Sequence, residues 1–167
     1  MNYLKIDKCD MLNGDGLRVV LWLSGCSHCC SGCQNPQTWD VNSGILFDKQ
    51  AEKELFEALD KSYISGITLS GGDPLHENNL QDVLNLVNKI RLLLPKKTIW
   101  LYTGYTLEEC VENATRRQII SKCDVLVDGK YIDSQRDITL RWRGSSNQRV
   151  IDVKKSLLKG EIVLHER

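Results

Sequence analysis

The 167-residue sequence has little of several features that mark specialised proteins. It has three prolines, and the longest apolar run near its amino terminus is residues 19–23, which excludes a proline-rich linker and a membrane-spanning segment there. It has no net charge, since 22 Lys and Arg balance 22 Asp and Glu, which counts against nucleic acid as the main partner. The first residues lack a signal-peptide pattern, so we expect a cytoplasmic protein with reduced thiols.

Cysteine, in contrast, is abundant, with seven residues in the chain. Cys26, Cys30 and Cys33 form a C-x3-C-x2-C pattern, and Cys29 lies inside it. An odd number of cysteines fits a disulfide framework poorly, and in a reducing compartment clustered cysteines more often bind metal or do redox chemistry. Three thiolates on one loop can hold three corners of a [4Fe–4S] cluster and leave the fourth iron open. The three scattered cysteines are expected to be small, partly buried apolar residues.

Two other interpretations of this motif stay open on the residues alone. As C-x2-C-C-x2-C, the four cysteines can bind a structural zinc ion, although zinc sites usually separate their two pairs by a longer stretch. Alternatively, Cys30 and Cys33 can form a dithiol redox pair, although such a pair usually opens a helix and Asn35 and Pro36 indicate a loop here. His28, inside the motif, is expected to be solvent-facing or supporting rather than a ligand.

Short apolar segments alternate with helical patterns, which predicts an α/β fold with a mostly parallel sheet. The predicted strands are 18–23, 66–70, 98–102, 124–127 and 149–153, and the predicted helices are 49–61, 79–94 and 106–120, with Asn78 or Asn79 capping the second helix. The chain is too short for a complete eight-unit barrel. We therefore expect one domain, residues 1–167, folded as a partial (β/α) barrel of about four to six strands.

Turn-forming segments follow four of the predicted strands. They are the cysteine loop, Gly71-Gly72-Asp73-Pro74, Thr103-Gly104 and Asp128-Gly129. Ligands of parallel sheets bind beyond the carboxyl ends of the strands. The four turns are therefore expected to gather on one rim.

The order of these motifs resembles that of the radical S-adenosylmethionine (SAM) enzymes. The resemblance is carried by Cys26-x3-Cys30-x2-Cys33 after one strand and by Ser70-Gly71-Gly72-Asp73-Pro74 after the next. Weaker matches extend it over about residues 1–152 to the family of activating proteins of anaerobic (class III) ribonucleoside-triphosphate reductases. These matches are Asn13-Gly14-x-Gly16, Trp39-x-Val41-Asn42-Ser43-Gly44, Tyr102-Thr103-Gly104-Tyr105, Val127-Asp128-Gly129-Lys130 and Trp142 to Gln148.

The resemblance implies both the site and its chemistry. Cys26, Cys30 and Cys33 would bind the cluster, and the residues that bind SAM would be Gly32, Cys33, Gln34, Asn35, Gly71, Gly72 and Asp73. Gln34 stands where the family usually has an aromatic residue. The reduced cluster would pass one electron to the SAM sulfonium, and the 5′-deoxyadenosyl radical would take a hydrogen from a glycine of the reductase. No catalytic side chain is required, because the cofactors carry the chemistry.

The implied partners are the reductase and an electron donor such as a small flavoprotein. From about residue 130 the chain holds nine Lys or Arg against five Asp or Glu. A basic segment is usually a solvated face, and the functional alternative is docking to an acidic patch on the reductase through Arg141, Trp142 and Arg143. Trp142 fits a core position equally well. The alternatives are activation of another glycyl-radical enzyme and a non-catalytic, zinc-stabilised interaction module. His76 is expected to cap or pack, and His165 to lie in a frayed tail without a role.

Overall fold

The computed structural model of the chain describes residues 1–166, which form a seven-stranded sheet with five α-helices. The strands are β1 (Asn2–Asp10), β2 (Arg18–Leu23), β3 (Ile45–Leu46), β4 (Gly66–Gly71), β5 (Thr98–Tyr102), β6 (Val125–Asp128) and β7 (Arg149–Asp152). The helices are α1 (Lys49–Leu59), α2 (Leu80–Leu93), α3 (Leu107–Glu112), α4 (Ala114–Ser121) and α5 (Val153–Lys159). Single 3-10 turns lie at Pro36–Thr38, Glu77–Asn79 and Asp133–Gln135. None of the helices within residues 1–166 is long and apolar enough to cross a bilayer.

The α/β class is confirmed, but the sheet is mixed, so the prediction of a mostly parallel sheet was wrong. The strand order is β3-β1-β2-β4-β5-β6-β7. Neighbours from β2 through β6 pair in parallel, whereas β1 pairs antiparallel with both β2 and β3, and β7 pairs antiparallel with β6. Helices connect the parallel strands, but residues 129–148 contain no α-helix that would carry the chain back across the sheet. The chain therefore returns antiparallel at β7.

The predicted helix 106–120 is two helices. At α3, the Thr106 hydroxyl and the Glu109 carboxylate form a capping box with each other's backbone N–H. Asn113 then adopts an extended conformation, and its side-chain oxygen accepts from the N–H of Thr115. An asparagine that caps a new helix ends the previous one, because it leaves helical geometry.

The two faces of the sheet differ because side chains alternate along each strand. One face packs on the helices as the main core, with Val19, Leu21, Leu23, Ile67, Leu69, Ile99, Leu101, Leu126 and Ile151 from the strands. The other face carries larger and more polar side chains, including Arg18, Trp22, Thr68, Trp100 and Tyr102. A second, small apolar cluster on this face centres on Trp100, Val125 and Val127. This second face leads directly to the cavity described next.

Candidate cluster and cofactor site

A cavity of about 370 Å³ lies at the carboxyl ends of β2, β4, β5 and β6. Its volume falls in the range of roughly 300–1,000 Å³ that is typical of small-molecule sites. Eight of the residues predicted to bind the cluster or SAM line it: Cys26, Cys30, Cys33, Gln34, Asn35, Gly71, Gly72 and Asp73. The structure thus places the cysteine loop and the Gly-Gly turn in the wall of the same cavity, at one edge of the sheet.

The three cavity cysteines lie beside backbone N–H groups, and Cys33 accepts a hydrogen bond at sulfur from the Asn35 N–H at 3.4 Å. Burial raises the pKa of the Cys26 thiol to about 11, and burial also raises the pKa of Cys30. Thiols in this state release their protons when a metal binds, and N–H···S bonds then stabilise the thiolates. The donor set therefore fits an iron–sulfur cluster.

Cys29 differs from its three neighbours. It is exposed, is absent from the cavity wall, and adopts a left-handed backbone conformation with φ of +48°. Within residues 1–166, no three His, Cys, Asp or Glu side chains are grouped closely enough to hold a single metal ion. Zinc needs its sulfur ligands at about 2.3 Å, whereas a cluster spreads its thiolates because each one binds a different iron. Cys29 therefore lies apart from the three cysteines that line the cavity.

The Gly-Gly turn packs directly against the start of the cysteine loop. Gly72 N–H donates to the Leu23 carbonyl at 2.8 Å, and Asp73 N–H donates to the Gly25 carbonyl at 2.8 Å. A Cβ atom at Gly71 would lie 2.7 Å from the Leu23 oxygen, and one at Gly72 would lie 2.6 Å from the Gly25 oxygen. Gly71 also has φ of +96°, a region that side-chain-bearing residues rarely adopt. Only glycine lets the two segments approach this closely.

The carboxylate of Asp73 is buried and fully engaged by the protein. It accepts from the Leu75 N–H at 2.8 Å, the Thr103 hydroxyl at 2.9 Å and the Gly104 N–H at 3.0 Å. His28 Nε2 lies 2.7 Å from Oδ2, the oxygen that also accepts from Gly104. Asp73 was predicted among the SAM-binding residues. The structure places it in the cavity wall with its oxygens already bonded, so it holds the wall together.

Of the other predicted SAM-binding residues in the cysteine loop, Gln34 and Asn35 line the cavity and Gly32 does not. Gln34 is exposed at the cavity, and the Asn35 carbonyl accepts from both the N–H and the hydroxyl of Thr38 at 3.0 and 2.6 Å. Gly32 is absent from the cavity wall. A Cβ atom there would lie 2.6 Å from an Asp133 carboxylate oxygen, so glycine at this position admits the loop that follows β6.

The three predicted docking residues also differ in their positions relative to the cavity. Trp142 and Arg143 line the cavity, and Arg141 is exposed with its guanidinium 4.2 Å from the centre of the Trp142 ring. The Trp142 ring packs edge-on against Trp100, with 4.9 Å between centroids, and its backbone is left-handed with φ of +62°. Trp142 is therefore a cavity-wall residue, and of the three only Arg141 is an exposed side chain.

The prediction for His165 was wrong, because the end of the described chain is packed. His165 Nε2 lies 2.7 Å from an Asp15 carboxylate oxygen, and the backbone N–H of His165 donates to the Val150 carbonyl at 2.8 Å. The imidazole centroid lies 5.2 Å from that of Trp100 and 5.7 Å from that of Trp142. The tail thus supports the ring of a cavity-wall residue.

Sequence reasoning missed two cavity-lining indoles. The Nε1 atoms of Trp22 and Trp39 are buried without a hydrogen-bond partner in the described chain, and both residues line the cavity. A buried donor left unpaired costs about 1–3 kcal/mol. Asn78 or Asn79 was predicted to cap α2, and Asn79 holds the N-cap position, but its side-chain amide makes no capping bond and donates instead to the carbonyls of Ser24 and Asp73.

Comparison with known proteins agrees with this site. The family model of the 4Fe-4S single cluster domain matches residues 12–151. An anaerobic ribonucleoside-triphosphate reductase-activating protein of Escherichia coli K12 is 48% identical over 150 residues, which are 89% of this chain and 96% of the relative. Proteins of the same name from Haemophilus influenzae and Enterobacteria phage T4 are 43% and 45% identical, over 89% and 90% of this chain and 96% and 93% of theirs.

The fold and the cysteine site thus define a [4Fe–4S] single-cluster domain. Within that class, the chain belongs to the family of anaerobic ribonucleoside-triphosphate reductase-activating proteins, which confirms the family predicted from its motifs.

Proposed function

We propose that the chain is a radical SAM enzyme that activates an anaerobic ribonucleoside-triphosphate reductase by installing a glycyl radical on it. The observation that carries this proposal is that Cys26, Cys30 and Cys33 and the Gly71-Gly72 turn line the same cavity. The membership of the chain in the activating-protein family supports the same target.

Under this proposal, different residues of the chain bind the cluster and SAM. Cys26, Cys30 and Cys33 would hold three irons of the cluster and leave the fourth without a protein ligand. When bound, the cluster and SAM supply one-electron reduction and a carbon-centred radical. Gly71, Gly72, Gln34 and Asn35, with the rings of Trp22 and Trp39, would surround the space for SAM and exclude water from it.

The partner surface follows from the same geometry. We infer that Arg141, exposed beside the cavity residue Trp142, contacts an acidic patch on the reductase, whose glycine-bearing loop then enters the cavity. A small flavoprotein is the proposed electron donor. We also propose a cytoplasmic location, a single domain over residues 1–167 with a basic segment from about residue 130, and a sheet curved as a partial barrel.

The proposal is tested on the purified chain, reconstituted with iron and sulfide without oxygen. We expect about four irons per chain. Incubation with reductant, SAM and the reductase should give a glycyl radical in the electron paramagnetic resonance (EPR) spectrum. The Cys26→Ala variant serves as the matched control and should give none. A colourless protein with one tightly bound zinc ion would overturn the enzymatic function.

A second arm of the same experiment addresses the target. The reductase is replaced by another glycyl-radical enzyme under identical conditions, and the radical signal is compared. A signal on that enzyme and none on the reductase would keep the chemistry and overturn the assigned partner.

A further inference from the structure

His28 lies inside the cysteine motif, but its side chain is inserted into the neighbouring sheet. Its imidazole is 8% exposed and the Asp73 carboxylate that it contacts is 2% exposed, with 2.7 Å between Nε2 and Oδ2. The imidazole also packs edge-on against Tyr105, with 4.5 Å between ring centroids. We call the residues that receive this ring, Asp73, Gly104 and Tyr105, the His28 socket.

Gly104 makes room for the ring. A Cβ atom at this position would lie 2.4 Å from Cδ2 and 2.6 Å from Nε2 of His28, a distance that real side chains do not reach. The Gly104 N–H donates to the same Asp73 oxygen that His28 contacts. The Tyr102-Thr103-Gly104-Tyr105 motif therefore has a physical reason: Thr103 and Gly104 bond Asp73, and Gly104 and Tyr105 enclose the imidazole.

The socket is itself braced from behind. The Arg116 guanidinium lies 3.8 Å from the centre of the Tyr105 ring, and its Nε donates to the Leu75 carbonyl at 3.2 Å. The Leu75 N–H donates in turn to Asp73. Contacts thus run in a closed circuit from Asp73 through Leu75, Arg116 and Tyr105 back to His28. A closed circuit of bonded and packed groups holds each member in one orientation.

The position of His28 in the chain connects this circuit to the cysteines. It lies two residues after Cys26 and two before Cys30, so a ring held in the socket fixes the middle of the cysteine loop. Asp73, which His28 contacts, follows the Gly71-Gly72 turn directly. The His28–Asp73 contact therefore joins two segments that both line the cavity.

We propose that His28 is a positioning residue: its ring, bound in the socket, fixes the middle of the cysteine loop and sets the distance between that loop and the Gly-Gly turn. This inference rests on the proposed function, because it assigns His28 to the cluster and SAM held there. His28 lies in the cavity wall, and it acts through the cysteine loop and Asp73, as residues behind metal ligands do.

The test compares two substitutions of the ring. His28→Phe keeps the shape and the contact with Tyr105 but removes the bond to Asp73, whereas His28→Gln places an amide nitrogen near the position of Nε2. In the reconstituted protein, we measure the midpoint potential of the cluster, its EPR spectrum with and without SAM, and the Kd for SAM. We expect His28→Phe to shift the potential and weaken SAM binding at least about tenfold, and His28→Gln to recover most of both.

Two further variants keep the test decisive if His28→Phe folds poorly. Gly104→Ala pushes the ring out of the socket and should reproduce the shift in potential and the loss of SAM affinity. The double variant Gly104→Ala, His28→Ala should be no worse than His28→Ala alone, because both changes act through one ring. His76→Phe is the matched control, since His76 follows the same turn but accepts from Asn78 N–H, and it should leave both values unchanged.

The inference would be overturned if His28→Phe kept the wild-type midpoint potential and SAM affinity. It would also be overturned if His28→Gln recovered neither value. These measurements need no reductase. If the wild-type chain binds the cluster and SAM but gives no glycyl radical on the reductase, the proposed target fails while the role of His28 is still decided. If the wild-type chain binds no iron, the proposed function and this inference are both overturned.

Discussion

The amino and carboxyl ends of the sheet bury polar groups in opposite ways. At the amino end, Arg18 is fully buried, and its guanidinium donates to the hydroxyls of Thr68 and Thr98 at 2.8 and 2.9 Å and to the Ile67 carbonyl at 2.6 Å. At the carboxyl end, the indole N–H groups of Trp22 and Trp39 have no partner within the described residues. The first network is closed and structural, whereas the second leaves two donors unpaired in the wall of the cavity.

The difference shows which buried polar groups indicate function. Arg18 has an unusual environment, and burial lowers its pKa to about 10. Its guanidinium donates to hydroxyl and carbonyl oxygens of the chain and lies 5.4 Å from the centre of the Trp100 ring, so it serves the fold. A perturbed group marks a site only where a cavity and unpaired groups accompany it.

The largest expected effect comes from the cysteines of the open end. Cys26→Ala, Cys30→Ala or Cys33→Ala should reduce SAM cleavage below detection, because each removes one of three cluster ligands. Cys29→Ala, the matched control on the same loop, should retain iron and SAM cleavage because Cys29 lies off the cavity wall. Iron analysis and quantification of 5′-deoxyadenosine check this. A cluster lost in Cys29→Ala would contradict the three-ligand assignment.

At the closed end, a large loss of stability is expected instead. Arg18→Met leaves the Ile67 and Thr98 carbonyls without their donor and should lower the free energy of unfolding by about 3 kcal/mol. Urea unfolding of the cluster-free chain measures it. SAM affinity of the folded variant should stay within about twofold if the two ends are independent. If the Arg18→Met variant were as stable as the wild type but bound SAM weakly, Arg18 would serve the cofactor site and not the fold.

A smaller effect is expected where the tail joins the two ends. His165→Ala removes the bond to Asp15 and the ring contacts with Trp100 and Trp142, and should cost about 1–2 kcal/mol. His165→Phe restores the ring packing without the bond and should recover part of this loss. Thermal unfolding with indole fluorescence reports both. Unchanged fluorescence and stability in His165→Ala would show that the tail does not support Trp142.

The smallest effect is expected at an ion pair outside the cavity. The hydrogen bond from Arg149 lowers the pKa of the Glu108 carboxyl to about 2, below its ordinary 4.5. A lowered carboxyl pKa adds stability above the ordinary value and loses it as pH falls toward about 2. Glu108→Gln should therefore cost less than about 1 kcal/mol at pH 6, since Glu108 is largely exposed, and the difference should shrink toward pH 2.5. Urea unfolding at both pH values decides it, and a constant difference would contradict the pairing.

Periodicity predicted the buried strands well because their apolar runs are continuous. β2, β4, β5 and β6 lie within a residue or two of their predicted ranges. β1 was missed since it alternates half-exposed polar and apolar side chains without a buried run, and β3 has two exposed residues. The direction of β7 depends on a connection without an α-helix, which a strand pattern does not reveal.

The sequence motifs predicted which residues line the candidate site, but not the side chains to which those residues bond. The cysteines and the Gly-Gly turn lie together on the rim, as their position after strands indicated. The bonds of Asp73 were out of reach, because they join His28, Thr103 and Gly104 from distant parts of the chain. Local sequence carries the residue types of a site, whereas their partners depend on the packing of the whole sheet.

The place of Tyr131 in the cavity wall bears on the order of events during synthesis. Cys30 leaves the ribosome early, while Tyr131 follows β6, after all four mutually parallel strands have been made. The cavity around the cysteine loop is therefore completed only when most of the sheet exists. We expect a nascent chain that has just exposed its cysteines to be a poorer iron acceptor than the finished protein, which would link cluster loading to completed folding.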